Sequence, residues 1–173
     1  MIADIADHLG TIPEAVLWSG AASLGLLLAL FYLLLRRSRR PEVILDGSNV
    51  MHWREDGPSL DTVREVIASL EASGFKPGVV FDANAGYLLS GRYRHHDSFA
   101  KALGLPADRV MVVPKGTPAD PLILQVARDR GARIVSNDRF RDWAERFPEV
   151  AERGHIIRGR YDKGSLRFQT GPR

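Results

Sequence analysis

The sequence contains no cysteine. Disulfides, thiolate zinc sites and a cysteine nucleophile are thereby excluded, and with them the disulfide-stapled extracellular modules. It also lacks internal repeats and low-complexity tracts, so solenoids and tail-like segments drop out. Charge of one sign is scarce: the formal net charge is only +3, too small by itself to argue for nucleic acid or a membrane surface. At 173 residues, 45% of them hydrophobic, the chain has room for one ordinary domain and little more.

The apolar residues are unevenly spread. Residues 15–35 form 21 consecutive positions without a charge, AVLWSGAASLGLLLALFYLLL. As an α-helix that run reaches roughly 30 Å, the thickness of a bilayer's hydrocarbon core. It has no polar stripe, and Trp18 and Tyr32 stand near its ends, where interfacial aromatics belong. Asp4, Asp7 and Glu14 precede it, and Arg36, Arg37, Arg39 and Arg40 follow it. The expectation is a single-pass anchor in the cytoplasmic membrane, with residues 1–14 outside, 36–41 as a basic juxtamembrane linker and the remainder in the cytoplasm. A cleaved signal peptide would need its positive charges on the other side and small residues at the cut, not Leu-Leu-Leu-Arg-Arg. Ser19, Ala21, Ser23 and Gly25 have the small-residue spacing through which two such helices can pack as a homodimer, or are simply tolerated in lipid.

Residues 42–173 alternate strand and helix signals. Val43-Ile44-Leu45 is a short apolar run ending in Asp46-Gly47, as in a buried parallel strand. Ser59 caps a predicted helix to Ala72, with Leu60, Val63, Val66, Ile67 and Leu70 on one face and Gly74 at its end. Further strands are predicted at 78–81, 109–113 and 132–135, with a mostly helical, basic stretch over 86–103. Thr117-Pro118-Ala119-Asp120 reads as N-cap, N1 proline and acidic N3 of a helix to Arg130. Another helix is expected from Asn137 or Asp138 to Phe147. Residues 155–160 and 165–169 flank Asp162-Lys163-Gly164 as a hairpin. This order specifies an α/β fold with a mainly parallel sheet flanked by helices, and a site at the carboxyl ends of the strands.

That edge collects acids. Asp46 ends the first strand, Asp82 the second, Asp120 opens the helix after the third, and Asp138 follows the fourth. Asp142 lies one helical turn beyond Asp138 in the predicted helix. Taken singly, each has a plain reading: Asp120 a helix-dipole residue, Asp138 an N-cap, Asp142 a partner for Arg146, Asp82 a turn residue with Asn84. Taken together, the mutual repulsion needs cations or raised pKa values, and Mg²⁺ or Mn²⁺ prefer such hard oxygen ligands.

Three segments carry a resemblance: Val43-Ile44-Leu45-Asp46-Gly47-Ser48-Asn49-Val50; Thr117-Pro118-Ala119-Asp120 with Leu122-Ile123-Leu124; and Ile134-Val135-Ser136-Asn137-Asp138-Arg139-Phe140-Arg141-Asp142. In this order they resemble the NYN branch of the PIN-like nucleases, specifically the Regnase-type ribonuclease domain, over about residues 42–170. The resemblance implies a PIN-like (Rossmannoid) fold and a metal-dependent endoribonuclease acting on single-stranded or loop RNA. It matches Asp46, Asn49, Asp120, Asp138 and Asp142 to the family's site positions, and implies 5′-phosphate and 3′-hydroxyl ends. Two features depart from the pattern. Pro121 stands where the family often has a second acid, for which Asp82 is the substitute on the second strand. The zinc finger of the animal enzymes is absent, as the lack of cysteine requires.

In the chemistry this suggests, Asp46, Asp120 and Asp138, with Asp82, hold Mg²⁺ or Mn²⁺ to polarise the scissile phosphate and activate water. Asp142 positions the water, and Asn49 orients a carboxylate or the phosphate. Arg92, Tyr93 and Arg94 pair phosphate-binding cations with a stacking ring, and Lys115 precedes the Asp120 helix; each also reads as a solvated loop. His95, His96 and Asp97 lack further spaced ligands for zinc. The basic C-terminal hairpin, with Arg158, Arg160, Lys163, Arg167 and Arg173, suits RNA or the anionic inner leaflet. Two rivals remain. One is a degenerate domain that tethers RNA without cutting it, suggested by Pro121. The other is a phosphoacceptor domain, which would need a lysine where Ser136-Asn137-Asp138 stands.

Overall fold

Along the first two strands, neighbouring side chains alternate between two separate cores. Val43 and Leu45 join one apolar cluster with Val79, Phe81, Val63, Val66, Leu70 and Phe99. Ile44 and Val80 join another with Ile123, Leu124, Ala127, Ile134, Phe140 and Phe147. A strand apolar at successive positions buries both faces, so these residues require helices above and below the sheet. The computed structural model has that three-layer form and describes residues 27, 28, 30–32 and 40–169.

Two compact units divide the chain, residues 1–40 and 41–173. In the first, the described Leu27, Leu28, Leu30, Phe31 and Tyr32 are helical and exposed. The rest of the predicted span over 15–35, the expected N-terminal segment 1–14 and most of the basic linker lie outside the described residues. Among the described residues no helix is long and apolar enough to cross a membrane.

The second unit runs β1 (Glu42–Asp46), α1 (Gly47–Val50), α2 (Leu60–Ala72), β2 (Lys76–Phe81), α3 (Ala85–Ser90), α4 (His96–Leu103), β3 (Val110–Val112), α5 (Ala119–Arg130), β4 (Arg133–Val135), β5 (Ile156–Asp162) and β6 (Ser165–Gln169). The sheet order is β3-β2-β1-β4-β5-β6. All neighbours are parallel except β5 and β6, which form the terminal hairpin. The order reverses around β1, so its carboxyl end opens at the crevice where such sheets place their sites.

Local signals explain most boundaries. The Ser59 hydroxyl accepts from the Asp61 N–H at 3.1 Å and starts α2, which buries Val63, Val66, Ile67 and Leu70. Four differences from the sequence reading stand out. Asp46-Gly47 opens a one-turn helix rather than a simple turn, with Asp46 as its N-cap. The 86–103 stretch is two helices, because Gly91 closes α3 in the left-handed region at φ 66°. Pro118 rather than Thr117 occupies the N-cap of α5, without a side-chain cap, so Asp120 is its second residue.

The fourth difference bears on the site. No α-helix runs from Asn137 or Asp138 to Phe147; 3₁₀ turns at Arg141–Trp143 and Pro148–Ala151 take its place. Phe140 adopts φ 51° while its ring is buried in the second core, and a left-handed residue interrupts a helix. Asp138 and Asp142 therefore do not share a helical face.

Candidate active site

Sheet register builds the site. β1 pairs Ile44 with Ile134 and Leu45 with Val135, so the next pair sets Asp46 beside Ser136. On β2, Asp46 pairs with Val80, two residues before Asp82. Side chains repeat every second residue, so Asp46, Ser136 and Asp82 follow Ile44, Ile134 and Val80 onto the face covered by α5. The first turn of α5 carries Asp120 on that same side.

Asp46 is buried, with 7% of its surface exposed. One carboxylate oxygen, Oδ1, accepts from the Asn49 backbone N–H at 3.0 Å, and Oδ2 accepts from the Ser136 hydroxyl at 2.9 Å. The same hydroxyl accepts from the Asp138 N–H at 3.1 Å, linking the ends of β1 and β4. Asp138 accepts in turn from the Phe140 N–H at 2.7 Å, so it closes an Asx turn instead of capping a helix. Close approach of α1 to β2 requires Gly47, since a Cβ there would stand 2.5 Å from the Phe81 ring. Packed against β2, the Ser48 hydroxyl accepts from the Asp82 N–H at 2.8 Å.

The Asn49 side chain serves the scaffold. Its oxygen accepts from the Trp53 indole N–H and the Asn137 N–H, each at 2.9 Å. Asn137 then makes a two-way amide pair with Gly159 on β5, at 2.9 Å and 3.2 Å. The Trp53 ring lies over Gly159, where a Cβ would fall 2.0 Å from it. Asn49, Trp53, Asn137 and Gly159 thus form one clamp around the carboxylate edge.

The electrostatics are those of acids without a counterion. Burial raises the Asp46 pKa to about 6, opposed by its two hydrogen bonds and assisted by the charges of Asp120 and Asp82. Asp120 is also raised, first by desolvation and next by Asp138, with Asp82 and Asp142 adding to it; a hydrogen bond from Trp143 works the other way. Asp120 thus feels Asp138, Asp82 and Asp142, while Asp46 feels Asp120 and Asp82.

Such a set of hard oxygens suits a divalent cation. Among the described residues no group of three or more Asp, Glu or His side chains is arranged to hold one directly. The fit is to a hydrated ion held through one or two carboxylates, the way Mg²⁺ is ordinarily bound beside phosphate.

Of the remaining predicted residues, Asp142 borders the carboxylate edge and the others fall elsewhere on the domain. Arg92, Tyr93 and Arg94 lie between α3 and α4. Exposed Tyr93 meets His95 edge-on at 4.8 Å and Tyr87 at 6.5 Å. Arg94 is engaged locally, with Nε donating to the Ser98 hydroxyl at 3.1 Å and its guanidinium 5.2 Å from the Phe99 ring. Lys115 is exposed between β3 and α5. Asp142 lines an open cleft of about 720 Å³ with Asn49, Asn137, Asp138, Arg139, Arg141 and Arg158. It makes no ion pair with Arg146, whose guanidinium instead lies 5.3 Å from the Phe147 ring. Ser136, Trp143 and Trp53 escaped the sequence reading as site residues. Ser136 was legible from the register that the Ser-Asn-Asp segment implies; the two tryptophans carried no local signal.

The domain is thus of the α/β class, a mainly parallel sheet with aspartates gathered at the carboxyl ends of its strands. Residues 39–157 match the model of the Zc3h12a-like ribonuclease NYN domain, and the chain belongs to that family. The family is one of ribonuclease domains. The fold is also similar to the crystal structure of nuclear proteinaceous RNase P 2 (PRORP2) from A. thaliana, with a TM-score of 0.57, 20% identity, and coverage of 91% of this chain and 37% of that one. A second structure of the Arabidopsis thaliana nuclear protein-only RNase P 2 gives 0.57 and 18%, covering 88% and 34%. The chain thus spans about a third of the length of those proteins. No curated protein sequence matches it.

Proposed function

We propose that this chain is a membrane-anchored endoribonuclease that uses Mg²⁺ or Mn²⁺ to hydrolyse single-stranded or loop RNA, with its nuclease domain in the cytoplasm. The observation that carries the nuclease reading is the buried Asp46 carboxylate, raised to about 6 and surrounded by further acids. The anchor rests on the apolar run of residues 15–35 and the four arginines after it.

Bound at this edge, the cation would supply Lewis-acid polarisation of the scissile phosphate and favour ionisation of water. Asp46 is the principal anchor in this reading, because its two hydrogen bonds fix both carboxylate oxygens. Asp120 and Asp138 complete the grip, directly or through water, and Asp82 adds negative charge from the end of β2. Asp142, on the open cleft, orients the attacking water. Asn49 acts through the clamp, holding the β1 and β4 ends in register. Arg92, Tyr93 and Lys115 offer phosphate and base contacts on the connections after β2 and β3.

The test incubates the full chain with labelled single-stranded RNA, with Mg²⁺, Mn²⁺ or EDTA. Cleavage should require the metal and leave 5′-phosphate ends, and Asp46→Asn and Asp138→Asn should each remove it without unfolding. RNA bound but never cut would instead make the domain a tether, in line with Pro121 after Asp120. For the anchor, the full chain should sediment with membranes after a carbonate wash, and deletion of 15–35 should release it.

A further inference from the structure

Phe140 has a second consequence, for the arginines beside it. With its ring buried and its backbone left-handed, Arg139 and Arg141 both stay exposed. Together with Arg158 they line the cleft that also contains Asp138 and Asp142. The same three arginines line an adjoining cavity of about 620 Å³, whose other walls include Arg153, Val150 and Ile156. The two cavities therefore share a basic rim; the second is lined by Glu152 and Gln169 rather than by Asp138 and Asp142.

Among the described residues, the side chains of Arg139, Arg141 and Arg153 have no ion pair or hydrogen bond, and that of Arg158 has only a long contact, 3.4 Å, to the Asn137 carbonyl. Elsewhere, Arg54, Arg64, Arg128 and Arg130 are all paired with carboxylates. Unpaired arginines around a partly apolar cavity of that size are suited to one ligand chemistry: a phosphate on the guanidinium groups and a flat ring against the wall.

We infer that the adjoining cavity is a nucleotide subsite, taking one nucleotide of the RNA next to the bond held at the carboxylate edge. Its phosphate lies on Arg139, Arg141 and Arg158, and its base packs on Val150 and Ile156 beside Arg153. The inference rests on the ribonuclease reading and adds the direction of the strand, from β1 outward across β4 and β5. It also accounts for how a polyanion approaches an acidic edge, because the arginines alternate with Asp138 and Asp142 along the loop.

The experiment measures binding of a labelled single-stranded RNA to the full chain in EDTA, by fluorescence anisotropy across a salt series. Arg153→Ala should weaken binding several-fold, and Arg139→Ala with Arg153→Ala by about tenfold or more. The slope of log affinity against log salt should fall by about 0.7 for each phosphate contact removed. Ala151→Trp, which fills the cavity without changing charge, should weaken binding with the slope unchanged. Lys101→Ala, at an exposed position of α4, serves as the charge-loss control and should bind as the unmodified chain does. Thermal midpoints report that each variant is folded. If Arg153→Ala and Ala151→Trp bind normally while the unmodified chain still cuts RNA in Mg²⁺, the subsite is wrong and the nuclease reading stands. If the unmodified chain neither binds nor cuts RNA, both fall.

Discussion

The two ends of β1 carry carboxylates in opposite circumstances. Glu42, at the amino end, lies 3.0 Å from both Lys76 Nζ and Arg130 Nη1. Asp46, at the carboxyl end of the same strand, has no cationic partner; two neutral donors hold its oxygens, and Asp120 and Asp82 add like charge. A fold built only for stability would treat both ends alike. Leaving one end unneutralised, and burying it, raises the free energy of the metal-free protein and creates demand for a cation from solution. The strand is thus closed electrostatically at one end and open for chemistry at the other.

The largest effect should come from neutralising the open end. Asp46→Asn removes a buried charge, so it should lower cleavage by more than the ~100-fold typical of changes outside the first coordination sphere. It should also raise metal-free stability at neutral pH by up to about 3 kcal/mol, read by denaturant unfolding in EDTA. Loss of activity together with loss of stability would sink the contrast.

The pH dependence follows from the same group. The folded Asp46 pKa, about 6, exceeds the ordinary 3.8, so the native state binds the extra proton. Stability from this group is therefore highest below about pH 4 and declines as pH rises to about 6. In EDTA the stability difference between the unmodified chain and Asp46→Asn should open across that window and then level. Saturating Mg²⁺ should shrink the difference above pH 6, since the cation takes the place of the proton.

A smaller effect is expected at Ser136. Ser136→Ala removes the hydroxyl that Asp46 and Asp138 share, and should destabilise the fold by about 1–3 kcal/mol. It should also push the titration of Asp46 still higher, because that hydrogen bond favours the charged form. An unshifted titration would mean the hydroxyl does not set the state of the carboxylate. Smallest of all, Glu42→Gln at the closed end should cost less than about 1 kcal/mol and leave cleavage unchanged. A large loss of cleavage there would show that the two ends are not independent.

Much of this was legible in the residues. Val43-Ile44-Leu45 and Gly78-Val79-Val80-Phe81 are apolar at every position, which only a doubly covered sheet accommodates, and each is followed by an aspartate. The hairpin was legible because Lys163-Gly164 supplies a tight turn, and the 60–72 helix because Ser59 caps an amphipathic run. The segment after β4 was misleading. Asn137 to Phe147 has caps and helical spacing, but burying Phe140 with Phe147 in the second core is worth more than local helix propensity. The Asp46-Gly47 turn became a short helix because Gly47 fits flush against Phe81, a contact between segments far apart in the chain.

The sequence by itself determined the alternation of strands and helices, the aspartates at the carboxyl ends and the uncharged run ahead of the domain. Those are local properties, written in periodicity, punctuation and charge. Only the tertiary structure decided which carboxylate is desolvated, which hydroxyl bridges Asp46 to Asp138, and that the Asn49 side-chain oxygen ties Trp53 to Asn137. It also decided that Arg139, Arg141, Arg153 and Arg158 surround one cavity. The physical reason is that burial and hydrogen-bond partnership depend on neighbours brought together by register. Asp46 and Ser136 are 90 residues apart in the chain and 2.9 Å apart in the sheet.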